Sequence, residues 1–165
     1  MVAPAPPTLR LTDDVLELLS SGVDVIVATR DAQLAPECTF GMGLRVHRDR
    51  RTVTVFVARA VAGPTLRNLE DNGQIAVTFC RPVDHETVQL KGQFLSVRDS
   101  EAADRQVQEM YRGAFAEQLA VFGIPRAITR RFAWWPSVAI EFEVAEAYTQ
   151  TPGPGAGQRI TGCRP

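Results

Sequence analysis

Residues 52–58, TVTVFVA, alternate Val53, Val55 and Val57 with Thr52, Thr54 and Phe56. That two-residue period predicts a strand with one covered face. Gly63 and Pro64 end it, and a proline at a first helical position starts a short helix. Asn72-Gly73 supplies the stop signal for that helix. Gln74–Phe79 reads as another apolar strand, Arg81–His85 as a loop, and Thr87–Val97 as a long strand with a bend at Gly92.

Upstream, Thr12 followed by Asp13 and Asp14 marks a helix N-cap. Val15, Leu18 and Leu19 form its apolar stripe, which predicts a helix near 12–21 stopped by Gly22. Val23–Thr29 reads as a strand, and so does 36–46. Gly41 and Gly43 mark a bulge or the close approach of a ligand in the latter. His47–Arg51 is a charged hairpin turn. Asp99-Ser100-Glu101 opens the longest helix, whose stripe of Val107, Met110, Tyr111, Phe115, Leu119 and Phe122 reads as a core face. A weaker helix is expected at 125–132, and Ser137–Tyr148 is the last strand. About six strands joined mostly by short turns predict an α+β fold, a small antiparallel barrel with helices packed outside.

At 165 residues the chain fits one domain. Composition predicts a proline-rich flexible lead (1–11), a folded unit (12–149) and a Pro/Gly-rich tail (150–165). The tail is either disordered or a fixed loop over a ligand, and its composition favours disorder. A net charge of −1 gives no electrostatic reason to expect nucleic acid or an anionic membrane as partner. No apolar run reaches the length of a membrane span and the N-terminus has no secretory pattern. Cys38, Cys80 and Cys163 form no CxxC pair. Cys38 and Cys80 stand in apolar strands and are expected to be reduced core residues, which points to the cytoplasm.

Chemistry-bearing motifs are scarce. There is no nucleophile elbow, zinc-protease motif, P-loop or Rossmann glycine pattern. His47 and His85 fall in turns and lack the carboxylate spacing of a metal site, so no metal is expected. Trp134 and Trp135 are expected to pack against the barrel. One concentration of polar groups stands out. Thr65 and Arg67 sit in the first turns of the Pro64 helix with Arg59 just upstream, and a helix N-terminus attracts anions. With no catalytic constellation, any enzyme activity would belong to a cofactor.

The order of elements, with TVTVFVARAVAGPTLRNLEDNGQIAVTF and VQLKGQ, resembles the pyridoxamine 5′-phosphate oxidase-like split-barrel flavoproteins over about residues 12–148. That resemblance implies a homodimer with FMN at the subunit interface. It implies Thr65 and Arg67 at the phosphate, where relatives carry basic residues, with Arg59 beside them. Gly41, Met42 and Gly43 fall on the strand that begins the flavin site. Thr87 falls where the biosynthetic oxidase has a glutamine touching the ring, and Gln89 lies on the same strand. Glu143 follows Ile140-Glu141-Phe142, where that oxidase has a tryptophan. The arginine and histidine that grip pyridoxal phosphate have no match in TQTPGPGAGQ, which argues against the vitamin B6 reaction.

Three readings stay open at this point. The chain is an FMN-dependent oxidoreductase acting on a small molecule, a reductase using the deazaflavin F420, or a non-enzymatic binder of flavin or haem. For the F420 reading, Arg48, Arg50, Arg51 and Arg59 are candidates to line a groove for a polyglutamate tail.

Overall fold

The computed structural model describes residues 9–161. Residues 1–8 of the lead, and the end of the tail with Cys163, lie outside the described residues. The elements run α1 (Asp13–Ser20), β1 (Asp24–Arg30), β2 (Pro36–Val46), β3 (Thr52–Ala58), α2 (Gly63–Asn72), β4 (Gln74–Cys80) and β5 (Thr87–Asp99). They continue with α3 (Ala102–Ala120), α4 (Arg126–Thr129) and β6 (Ser137–Thr149). The six strands close into an antiparallel barrel in the order β1-β2-β3-β6-β5-β4, with the helices outside. This is the architecture that the alternating pattern predicts.

Local chemistry sets the element ends. Thr12 Oγ1 accepts from the Val15 N–H at 3.4 Å, capping α1. Gly73 closes α2 in the left-handed region at φ 68°, where glycine has no Cβ penalty. Glu101 and Asp104 form a reciprocal capping box at the start of α3. Val25, Val53, Val77, Leu90 and Ile140 point inward and are fully buried. At Gly92 the β5–β6 register shifts. Any Cβ there would collide with the Glu143 carbonyl oxygen, so the bend read from the sequence is a packing requirement.

Four expectations about burial need correction. β3 is covered on both faces, with Phe56 and Thr54 buried as well as the valines. The reason is α3, which lies over β2; Arg45 stacks on the Phe56 ring. The α3 stripe is not a core face. Its buried residues are Asp104, Gln108 and Ala116, whereas Met110 is 75% and Phe122 56% exposed. The helix is instead anchored by polar groups, and its apolar stripe borders open clefts. Cys38 and Cys80 are free thiols but lie on the outer barrel face, Cys38 exposed and Cys80 half-buried. Cys38 alternates with the less exposed Glu37 and Thr39 in β2, and Cys80 falls opposite the buried Ile75, Val77 and Phe79 of β4. The tryptophans pack under arginines of α3 rather than on the barrel. The Arg112 guanidinium lies 4.4 Å and that of Arg105 5.6 Å from the Trp134 ring centre.

Two boundaries also differ. The helix expected at 125–132 is only the four-residue α4. The described part of the tail is ordered against the barrel rather than free. The Gln150 N–H donates to the Thr87 carbonyl at 2.7 Å and the Gly157 N–H to the Thr149 carbonyl at 2.7 Å. Gly153 (φ 144°) and Gly157 (φ 84°) make the reversal possible.

Candidate functional site

The bulge between Gly41 and Leu44 in β2 opens one wall of a cleft of 480 Å³. Gly41 and Met42 form that wall. Ala58 closes β3, and Ala60 and Val61 lie in the turn that leads to α2. Tyr111, Phe115 and Leu119 of α3 stand opposite, and Phe132 covers the rim. The lining is almost wholly apolar, with Phe40 62% and Phe132 45% exposed. Gly41 has no room for a side chain, since a Cβ would sit 2.5 Å from Val25 Cγ1.

Two titratable groups lie in this cleft, Asp24 and Tyr111. Burial pushes the Asp24 carboxyl up, opposed only by a hydrogen bond from the Val25 backbone. Burial, then the nearby Asp24 charge, pushes the Tyr111 hydroxyl up. Both shifts follow from removing charge from water without a compensating cation.

A neighbouring groove of 530 Å³ lies between α2 and the segment 31–37. Pro64, Arg67 and Asn68 form one side, and Glu37 of β2 the other. The first α2 turn has no side-chain cap and Pro64 has no N–H, which leaves Gly63 and Thr65 to carry its leading amides. Arg67 leans back over that turn, with Nη1 3.5 Å from where a Gly63 Cβ would stand. It forms no ion pair among the described residues. The groove and the cleft share no lining residue; both border β2, the groove at Pro36–Glu37 and the cleft at Thr39–Met42.

The other candidate residues stand elsewhere. Thr65 is fully buried on the barrel side of α2 with Leu69, and its hydroxyl has no hydrogen-bond partner. Arg59 is drawn away to an ion pair with Asp99. Gly43, at φ 128°, backs onto Gln108 and Phe56 under α3. Thr87 donates its hydroxyl to the His85 carbonyl at 2.8 Å, and Gln89 donates to Thr78 Oγ1 at 3.1 Å. Both lie on β5, three strands from β2 around the barrel. Neither histidine lines the cleft: His47 Nε2 is 2.8 Å from Thr54 Oγ1, and His85 sits in the β4–β5 loop. No group of three potential metal ligands occurs among the described residues.

The sequence profile described as pyridoxamine 5′-phosphate oxidase matches residues 11–149. The chain belongs to the pyridoxamine 5′-phosphate oxidase family. Solved structures agree on the family's fold. HupZ of Group A Streptococcus is 21% identical, with 90% of this chain and 100% of that chain covered at a TM-score of 0.55. A protein named F420 reductase is 12% identical, covering 79% and 93% at 0.53. An FMN-binding protein from Syntrophomonas wolfei is 12% identical, covering 82% and 89% at 0.50. No curated protein matches the chain. At these identities the structural likeness speaks for the barrel alone.

No sequence motif marks Asp24 or Phe132, and Tyr111 and Phe115 read as core residues of the long helix rather than as a cleft wall. Asp24 had a signal, a lone acid opening the apolar run Val23–Val27. The α3 residues had a weaker one, an apolar stripe wider than a single buried face requires.

Proposed function

We propose that this family member binds FMN, its ring in the Gly41–Met42 cleft and its phosphate at the start of α2, and works as a flavin-dependent oxidoreductase on a small molecule. The observation that carries this is that one strand, β2, borders both depressions: an apolar slot at Thr39–Met42 and, at Pro36–Glu37, a groove beside a helix start without a side-chain cap. There Arg67 leans over the first turn, in no ion pair among the described residues. Such an end favours a phosphate through its free amides and dipole, and a guanidinium adds charged hydrogen bonds.

The residues present fit a single phosphate group. Gly63 keeps the backbone open at the first turn and Arg67 supplies the positive charge. Asp31, Glu37 and Asp71 line the same groove and outnumber it, so the phosphate is held by direct contact with Arg67 and the first-turn amides rather than by the groove's overall charge. The buried Thr65 hydroxyl faces the barrel and contributes packing in this arrangement. Bound flavin would supply hydride or electron transfer at its ring. This chain's part is to exclude water with Met42, Phe115 and Phe132, to orient the ring against the β2 bulge, and to hold the phosphate. No side chain in the cleft is required to act as acid or base for that chemistry. The vitamin B6 reaction is not part of the proposal, because the tail folds back on Thr87 and adds no residue to the cleft.

A homodimer belongs to the same reading. The open cleft, with Phe40, Val61 and Phe132 exposed at its edge, is the kind of apolar patch that a second copy covers across a two-fold axis. No helix among the described residues is long and apolar enough to cross a membrane.

A deazaflavin would share the ring cleft, but its polyglutamate tail finds less support. Arg48, Arg50 and Arg51 precede β3, with Arg50 held by Asp13 at 2.7 Å, while Arg59 follows β3 at its far end. These arginines do not line one groove. A haem would find no imidazole in the cleft. Parallel thermal-shift titrations with FMN and F420 test the choice, because whichever cofactor the folded chain binds raises its melting temperature. Stabilisation by F420 with none by FMN would overturn the FMN reading.

A further inference from the structure

We infer that the cleft takes a flat, largely apolar ring system that presents an N–H or protonated nitrogen to the Asp24 carboxylate. The inference rests on the reading of this cleft as a ring site and adds the chemistry that the site selects.

Three observations lead there. Asp24 is half-buried in a lining that contains no lysine, arginine or histidine. Among the described residues its carboxylate makes no ion pair and no side-chain hydrogen bond, its one donor being the Val25 backbone N–H, whereas the buried Asp104 has two arginines. Around it stand Phe40, Phe115, Phe132 and Met42, aromatic and thioether surfaces suited to stacking on a planar ring. A half-buried charge with one backbone donor and no cation is costly to desolvate further. A ligand that brings a nitrogen donor removes that cost, and one that brings an anion or a bare hydrocarbon edge does not. The raised Asp24 carboxyl agrees with the geometry, since no cation of the chain opposes its desolvation. Tyr111, beside it, offers a second polar atom to the same ligand edge.

Two fluorescent tricyclic dyes of the same ring shape serve as probes. Proflavine is protonated at neutral pH and carries amino groups; acridine is neutral and has none. Titrated at neutral pH into the cofactor-free full chain, proflavine should bind at least about tenfold tighter than acridine, the scale of one charge-assisted hydrogen bond. In Asp24→Asn the proflavine affinity should fall to near that of acridine, with acridine unchanged. Phe132→Ala, at the exposed rim, should weaken both dyes alike and guards against a misfolded Asp24 variant. Equal affinity of the two dyes, or a preference that survives Asp24→Asn, would overturn the inference. Titrating FMN separately keeps the two readings apart. FMN binding without Asp24-dependent dye selection sinks this inference alone, and dye selection without FMN binding sinks the flavin reading alone.

Discussion

Arg98 of β5 holds Asp104 of α3 through two hydrogen bonds, 2.5 Å to Oδ2 and 3.1 Å to Oδ1. Arg45 of β2 adds a third at 3.0 Å, and the Glu101 N–H donates a fourth at 2.9 Å. One carboxylate, 2% exposed, thus ties the longest helix to two strands. Since α3 forms the wall of the cleft opposite β2, its position depends on this junction.

The Arg98 hydrogen bonds lead in holding the Asp104 carboxyl down to about 2. A depressed carboxyl contributes stability that is present above its unfolded value near 4 and is lost as pH falls through 2. Asp104→Asn should therefore cost about 2 kcal/mol at neutral pH, less what the half-exposed arginines recover from water. Urea denaturation of both proteins between pH 7 and pH 2 checks this. The gap should narrow below about pH 4; a gap that stays constant to pH 2 would contradict the assignment.

Gly92 sets a second prediction. A methyl group there meets the Glu143 carbonyl oxygen and the Phe142 ring, where β5 and β6 pair along nearly their whole length. Gly92→Ala should destabilise by about 2 kcal/mol through overpacking, seen as a lower urea midpoint with an unchanged slope. A neutral substitution would mean that the strands part more readily than the barrel geometry implies.

Thr65 separates a packing role from a binding role. Its buried hydroxyl lacks a partner, so Thr65→Val exchanges an unsatisfied polar atom for a methyl of similar size. Stability should hold or rise by up to about 1 kcal/mol, and FMN affinity should not change. A loss of FMN affinity without loss of fold would show that this hydroxyl reaches the ligand.

A homodimer should give a light-scattering mass near twice the 18.1 kDa of one chain. Within it, the exposed Phe40 should be shielded, so Phe40→Asp should shift the protein toward monomer. A wild-type monomer at micromolar concentration would remove the two-fold part of the reading.

The strands were legible because valine alternation reports an inside and an outside, and the boundaries of β3 and β6 follow it closely. Gly41, Gly43 and Gly92 announced bulges for the same local reason. What lay across the barrel was not legible. The second covered face of β3 depends on where α3 docks, and α3 docks through Asp104 and Gln108, polar residues that a hydrophobic pattern places on the solvent side. Cys38 was misplaced because a run such as Pro36–Val46 does not reveal the parity of a strand interrupted by glycines. Within the candidate site, Gly41, Met42 and Arg67 came from resemblance to a family. Asp24 required the fold, since its significance lies in the absence of a cation among residues distant in sequence.

The most direct test is a titration of the cofactor-free protein with FMN, followed by flavin fluorescence, in wild type and Arg67→Ala. The account predicts saturable binding of one flavin per chain in the wild type. It predicts a loss of roughly 1.5–3 kcal/mol in the variant, the scale of charged hydrogen bonds to a phosphate. Flavin fluorescence that stays that of free FMN at all protein concentrations, or an affinity indifferent to Arg67, would contradict it.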